Sequence, residues 1–442
     1  MTPLEAVFGT DPWWIVLIKV IGVFALLLVW TIFNVWFERR ILGKMQNRKG
    51  PIMNGPFGLG QAMGDGVKLL LKEDFRPART DAVVFSVAPA LTAVAAFSSW
   101  AVIPLGGTVR MFGHETHLQL TDFPVAALLV MAIAGVGFYG FVLAGWASNG
   151  TYSLLGSMRA TAQVISYEIA MGLSLVAVFL YASTMSTSEI VKAQGVTISM
   201  FGVDTPLPSW YGLLLFPSFL VYVIAMFGET NRQPFDMPEC ESEIVSGHIT
   251  DYSGFRYALF FLAEYINCAT VSAVSVTLFL GGYGAPWPFN GTFLNEGWWT
   301  LLWFVLKVQA MMFFFSWVRG SLPRVRYDQM MSLGWKVLIP GSLGWITLLA
   351  LTRGSFIHRW TSPLVWVGVV VIMVIAVWAV FRASDEGEPA VVSVPAAAGE
   401  VFDAFADGYP VPPMPGTNLI EGVVVPASDS TARTASMNGA DV

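Results

Sequence analysis

Five carboxylates and one arginine fall within fifteen residues, Glu229-Thr230-Asn231-Arg232-Gln233-Pro234-Phe235-Asp236-Met237-Pro238-Glu239-Cys240-Glu241-Ser242-Glu243, and Asp251 follows soon after. Carboxylates this close raise one another's proton affinity by repulsion and by loss of water, leaving some protonated near neutral pH. A chain of such groups beside Arg or Lys can pass a proton, or respond at one end to a charge change at the other. Further ionisable residues stand inside apolar stretches: Glu168 in Ile165-Ser166-Tyr167-Glu168, Glu264 in Phe261-Leu262-Ala263-Glu264-Tyr265, and Lys307. Glu38 and Glu229 each close such a stretch, and Lys19 lies near the outer end of the first, where it is expected to snorkel. A charge in hydrocarbon costs roughly 2.5–3.5 kcal/mol on insertion scales, so each of these residues is a functional hypothesis by default.

A plainer account makes the acidic segment a solvated helix start, with Asp236 as cap and Glu239 in the first turn, where carboxylates suit the helix dipole. It leaves Glu239 and Glu243 repelling at i, i+4, and it does not touch Glu168 or Glu264. The preferred reading is a proton path, with Glu168, Glu229 and Glu264 inside a helical bundle and Glu239, Glu241 and Glu243 at its cytoplasmic mouth.

The elements that must position these groups follow from composition. The chain of 442 residues is 55% apolar and 12% charged, with a mean hydropathy of +0.63. A soluble domain is typically about 25% charged, so the fold class is an all-α polytopic membrane protein. Apolar stretches long enough for about 30 Å of hydrocarbon lie near 13–37, 82–104, 123–146, 160–183, 209–228, 254–282, 298–319, 335–352 and 363–381, about nine spans with the eighth shortest. The first is too long, and lacks the basic leader, for a cleaved signal peptide. Sixteen Lys and Arg fall on one side of this arrangement and four on the other. The bias puts the amino terminus outside and loops 38–81, 229–253 and 320–334 in the cytoplasm.

Within the first of these loops, Leu59, Met63, Val67, Leu70 and Leu71 form one helical stripe, and Asp65, Lys68 and Lys72 share another face. This predicts an amphipathic cytoplasmic helix lying at the interface or tucked under the bundle. Residues 1–382 are read as the transmembrane helical domain and 383–442 as a cytoplasmic tail. The tail is rich in Ala and Pro, carries nine acids against Arg433, and is expected to be largely disordered.

Several chemistries are excluded. Cys240 and Cys268 are too few for an iron–sulfur cluster, a cysteine-rich zinc site or a disulfide scaffold. His114-Glu115-Thr116-His117 lacks the zinc-protease spacing, so no metal site is expected. Gly135-Val136-Gly137-Phe138-Tyr139-Gly140 satisfies a dinucleotide fingerprint but lies inside an apolar span with no preceding strand, and close helix packing explains it better. No basic excess suggests nucleic acid.

Four separated blocks carry a family resemblance: Glu38-Arg39-Arg40-Ile41-Leu42-Gly43 with Met45-Gln46-Asn47-Arg48-Lys49-Gly50-Pro51; Gly145-Trp146-Ala147-Ser148-Asn149 through Arg159 to Ser166-Tyr167-Glu168; Glu229 through Glu243; and Pro323-Arg324-Val325-Arg326-Tyr327-Asp328-Gln329. Over roughly residues 10–352 the chain resembles the H subunit of bacterial respiratory complex I, a proton-translocating NADH:quinone oxidoreductase whose mitochondrial counterpart is NADH dehydrogenase subunit 1. The resemblance implies a membrane subunit that encloses the quinone access channel and couples quinone reduction to proton translocation, with no complete active site of its own. Flavin and iron–sulfur clusters would lie only in partner subunits, with quinone as the substrate. The partners would be peripheral subunits at the quinone site and small subunits of the membrane arm, in a bacterial plasma (inner) membrane.

By the same resemblance Glu38, Asp65, Glu168, Glu229, Glu239, Glu241, Glu243, Asp251 and Glu264 belong to the coupling path, and Arg39, Arg159, Arg232, Phe235, Arg324 and Arg326 to the quinone channel. There are departures. The family usually has Glu where Asp251 stands, and Leu59-Gly60-Gln61-Ala62-Met63-Gly64-Asp65 replaces a common Leu-Leu-Gln-Pro and Ala-Asp pattern, which keeps Asp65 but leaves the local backbone open. Two other functions compete: the homologous subunit of a membrane-bound hydrogenase, and a stand-alone proton-coupled transporter. The transporter predicts internal repeats, and the two halves of the chain show none.

Overall fold

In lipid every backbone amide must be satisfied within its own segment, so apolar runs of this length close as helices. The computed structural model describes residues 11–200, 203–237, 246–287, 289, 292–358, 368 and 371. Its helices are α1 (Trp13–Met45), α2 (Gly60–Leu71), α3 (Ala82–Ser98), α4 (Ala126–Ala147), α5 (Thr151–Ala182), α6 (Thr187–Gln194), α7 (Phe216–Glu229), α8 (Gly254–Phe279), α9 (Trp299–Ser321), α10 (Tyr327–Ser332) and α11 (Ile339–His358).

Among the described residues seven helical stretches are long and apolar enough to cross a membrane: Trp13–Met45, Ala82–Val102, Ala126–Ala147, Thr151–Ala182, Gly254–Phe279, Trp299–Ser321 and Tyr327–Gly354. The last joins α10 to α11 through a π-helical turn at Leu333–Leu338. The chain is thus a multi-pass helical membrane protein, and the expected count of nine spans is not confirmed among the described residues. The span expected at 209–228 is split at Leu215 into a short helix, Tyr211–Leu214, and α7, whose 14 residues cover about 21 Å. A break at Leu215, followed by a proline in the first turn, sets its start. The span at 363–381 and the tail from 383 fall almost wholly outside the described residues.

The predicted amphipathic helix forms as α2. Two antiparallel hairpins were not expected from an all-α reading. Thr108–Met111 (β1) pairs with His114–His117 (β2), and Thr197–Met200 (β3) with Val203–Pro208 (β4). Phe112 and Gly113 between β1 and β2 both have positive φ, +48° and +89°, the backbone that a tight hairpin turn demands.

Connections gather in two sets. At the end holding the carboxyl terminus of α1, the Phe75 amide donates to Ser253 Oγ (3.0 Å) and the Val325 amide to the Pro234 carbonyl (3.2 Å). At the opposite end, Gln119 Nε2 donates to the Val102 carbonyl (2.9 Å) and Thr187 Oγ1 (3.1 Å). Lys19 does not snorkel. It is buried there in a 2.6 Å ion pair with Asp11, whose carboxylate also accepts from Thr116 Oγ1. Lys307 donates to the carbonyls of Leu280, Gly282 and Gly284 at 2.6–3.0 Å, satisfying groups left over at the end of α8.

The glycines of 135–140 pack as expected. A Cβ on Gly140 would meet the Ala88 carbonyl of α3 at 2.7 Å, and one on Gly137 would meet Ala95 Cβ at 2.9 Å. Gly140→Val should therefore push α3 and α4 apart and cost about 1–3 kcal/mol of stability. Gly22→Ala, where nothing lies within 4 Å, should cost nothing. Thermal unfolding of both variants in mild detergent checks the contrast.

Candidate functional site

Successive residues on a helix point about 100° apart, and α1 uses that step at its carboxyl end. Glu38, 8% exposed, faces the bundle, while Arg39 borders a large lateral cavity. Glu38 Oε2 accepts a 2.6 Å hydrogen bond from Tyr265 Oη, and Oε1 pairs with the Arg319 guanidinium. Arg232 stands between two carboxylates. Its Nε is 3.0 Å from Glu264 Oε1, its Nη1 is 3.6 Å from Glu38 Oε1, and its guanidinium lies 4.4 Å over the Tyr265 ring. Two acids and two bases balance, which a buried charged cluster requires. Burial by itself would loosen the Arg232 proton, but Glu264 above all, with Tyr265, Cys268 and Glu38, outweighs it and holds the guanidinium well above its ordinary range.

The backbone that delivers Arg232 is clamped from α5. Gln163 Nε2 donates to the carbonyls of Gly228 (2.8 Å) and Phe235 (2.6 Å), at the two ends of the turn that follows α7. The Tyr167 ring fills the space a Cβ at Gly228 would need, and Tyr167 Oη donates to the Met330 carbonyl at 3.0 Å. Asn231 takes φ +51°, so the chain reverses directly before Arg232.

Glu229 and Glu264 both border a cavity of about 40 Å³ whose walls are mostly apolar, with Asn231, Asn267 and Thr270 as further polar groups. A water needs roughly 10–15 Å³ by this measure, so the space admits water. Glu229 Oε2 and Asn231 Oδ1 are buried with no hydrogen-bond partner among the described residues, which suits a hydrated connection between the two carboxylates. Glu168, half-buried on α5, is close enough to Glu229 for their charges to repel, and its carboxylate lies beside Gly135 of α4. Glycine there leaves the room a side chain would take.

The lateral cavity, about 690 Å³, lies among α1, α2 and α8. Leu28, Ile32 and Val35 of α1 face Phe261 and Leu262 of α8 across it, and α2 supplies a mixed wall of Gln61, Asp65 and Lys68 with Ala62, Leu69 and Leu70. Arg39 Nη1 pairs with Asp65 Oδ2 at 2.6 Å, and Gln61 Nε2 donates to Asp65 Oδ1 at 3.2 Å. Apolar on two walls and mixed on the third, with charged groups at Arg39, Asp65 and Lys68, the cavity suits an amphiphile with a long tail and a polar head.

The structure therefore brings together Glu38, Arg232 and Glu264, sets Glu229 and Glu168 beside them, and places Asp65 with Arg39 in the cavity wall. The remaining predicted residues scatter. Arg324 pairs with Asp236 at 3.0 Å. Arg159 lies 5.9 Å over the Tyr327 ring, Arg326 is exposed at the start of α10, and Asp251 faces the α4–α5 turn at Gly150. Phe235 is buried against Tyr167 (5.3 Å). Glu239, Glu241 and Glu243 lie outside the described residues. Sequence reasoning missed Tyr265, Arg319, Gln163 and Tyr167 as parts of the site. A signal existed for two of them, because each glutamate inside a span has a tyrosine as neighbour, in Tyr167-Glu168 and Glu264-Tyr265.

The chain is similar to known proteins over most of its length. The pattern of the NADH dehydrogenase family matches residues 18–350. The H subunit of NADH-quinone oxidoreductase from Cutibacterium acnes is 57% identical over 422 residues, 94% of each chain. The protein of the same name from Streptomyces avermitilis is 48% identical over 435 residues, 95% of this chain and 92% of its own.

One titratable group near the site stands outside the ion-pair cluster. His248 is buried between Phe141 of α4 and Phe260 of α8, at ring distances of 4.9 and 5.7 Å, and neither ring nitrogen has a partner among the described residues. Burial pushes its imidazole down from the ordinary 6.5 to about 4. The unfolded chain then binds the proton more tightly, so this site's stability is full above pH 6.5 and lost as pH falls toward 4. His248→Phe should flatten that stretch of the melting-temperature profile, measured in mild detergent against wild type.

Proposed function

This chain belongs to the NADH dehydrogenase family, and we propose that it is the membrane subunit of a proton-translocating NADH:quinone oxidoreductase that encloses the quinone access channel and couples quinone reduction to proton movement. The name that both relatives carry supports the assembly, and the geometry supports the division of labour. One observation carries the reading: α1 and α8 each divide their faces between the lateral cavity and the ion-pair cluster. Arg39, Phe261 and Leu262 border the cavity, while Glu38, Glu264 and Tyr265 build the cluster.

Reduction of a quinone to its quinol takes up two electrons and two protons. The electrons would come from flavin and iron–sulfur clusters in partner subunits, since this chain carries no complete active site. Transient anionic forms of the quinone are favoured beside cations along the channel, whereas at the cavity Arg39 is already paired with Asp65. Withdrawal of a proton near Glu38 changes the field felt by Arg232, which Glu264 shares at 3.0 Å. In a water-poor setting such a change acts strongly over a few ångströms. Glu264, the water-sized cavity, Glu229 and Glu168 then continue the route, and Glu239, Glu241 and Glu243 would form its mouth. Arg159, Arg324 and Arg326 supply positive charge at the same end. The proposed setting is a bacterial plasma membrane with the amino terminus outside, residues 1–382 as the membrane domain and 383–442 as a cytoplasmic tail.

Glu229→Gln and Arg232→Ala should each abolish quinone-linked NADH oxidation and proton pumping in membranes while partner subunits still assemble. Arg232→Ala should also cost about 3–5 kcal/mol of local stability, because it leaves two buried acids, Glu38 and Glu264, balanced by Arg319 alone. Full oxidation and full pumping in both variants would defeat the reading.

A further inference from the structure

The stripe of α2 that borders the lateral cavity is mixed, with Leu69 and Leu70 beside Gln61, Asp65 and Lys68. Met63, Val67 and Leu71 are 61%, 50% and 82% exposed and do not border the cavity. Gln61-Ala62 and Asp65-Gly66 do, one helical turn apart. Ala62 and Gly66, at i and i+4, make a strip of nearly bare backbone along that wall.

Glycine inside a helix is unfavourable relative to alanine, so its presence asks for a reason. At Gly140 the reason is packing, since a Cβ there would strike a neighbouring helix, whereas Gly22 and Gly341 are as open as Gly66. At Gly66 packing gives none: nothing lies within 4 Å of where a Cβ would stand, and its φ is not in the left-handed region. The open space is the cavity itself. No residue of α2 is buried, and the helix is held to α1 by the Arg39–Asp65 pair and by a turn at its start. In that turn the Phe57 carbonyl accepts from Trp36 Nε1 (3.0 Å) and Arg40 Nη1 (2.9 Å).

We infer that Gly66, together with Ala62, is a clearance element that sets which quinone tails the cavity accepts. The inference rests on the quinone reading proposed for this chain. The missing side chain keeps the passage wide beside the Arg39–Asp65 pair, where the polar head must cross and where a long tail still trails once the head has moved on. A short tail leaves this stretch free, so added bulk at Gly66 discriminates by tail length.

The test uses the intact complex in membranes and compares wild type with Gly66→Ala, Gly66→Leu and, on the face away from the cavity, Val67→Leu. NADH oxidation is followed with a quinone bearing a decyl tail and with one bearing a natural-length polyprenyl tail. Reduction of ferricyanide, a polar acceptor that needs no quinone channel, normalises for assembled complex. Gly66→Leu should raise KM for the long-tailed quinone about tenfold, within the range that small changes of bulk produce in a fitted apolar site. The decyl quinone should be affected several-fold less, and kcat should be nearly unchanged. Gly66→Ala meets no clash and should shift KM in the same direction by less, and Val67→Leu should match wild type. An unchanged KM for the long-tailed quinone in Gly66→Ala and Gly66→Leu overturns the inference, as does an equal shift in Val67→Leu. A wild-type complex that oxidises NADH without reducing either quinone defeats the underlying functional reading instead.

Discussion

A charge taken out of water must be matched by an opposite charge or by fixed dipoles, and this constraint organises the bundle. Arg232 satisfies it by standing between Glu38 and Glu264, with Arg319 and Tyr265 completing the set around Glu38. Removing any charged member upsets the balance of two acids and two bases at a buried point. The turn that carries Arg232 is accordingly overdetermined, clamped by Gln163 from α5 and by the ring of Tyr167 seated on Gly228. Rigid delivery matters because each carboxylate reaches the guanidinium over only a few ångströms.

The same rule disposes of the two lysines inside apolar helices without invoking function. Lys19 is neutralised by Asp11, and Lys307 is surrounded by backbone carbonyls at the end of α8. These are complete local solutions with no unmet partner. Glu229 is different, because one of its oxygens is buried, faces a space that admits water, and has no hydrogen-bond partner among the described residues. Buried polar atoms are rarely left in that condition. The contrast separates groups that hold the fold from groups that are candidates to carry a proton.

Helical phase links the cavity to this cluster. Glu38 and Arg39 are chain neighbours, yet the first contributes to the ion pairs and the second to the cavity wall. On α8, Phe261 and Leu262 border the cavity while Glu264 and Tyr265 turn inward. Two helices thus act as a shared partition, thin enough for electrostatics to cross and closed enough to keep an apolar occupant from the polar groups.

Much of this was legible in the residues. Composition and run length determined a multi-pass helical protein, because hydrocarbon forces an apolar segment to bond to itself. The spacing of Leu59, Met63 and Val67 determined the amphipathic helix, and the misplaced charges Glu38, Glu168, Glu229, Arg232 and Glu264 marked a candidate site, because each is costly unless it is used or paired. What only the tertiary structure decided was pairing and direction. Nothing in the spacing of Asp65 assigns it to Arg39 rather than to the other acids, and Arg319 meets Glu38 across 281 positions of chain. The split of the span at 209–228 and the two hairpins also needed the fold. Local pattern fixes the period of a helix and its solvent, whereas the partner of a buried charge depends on which helices adjoin and in what rotation.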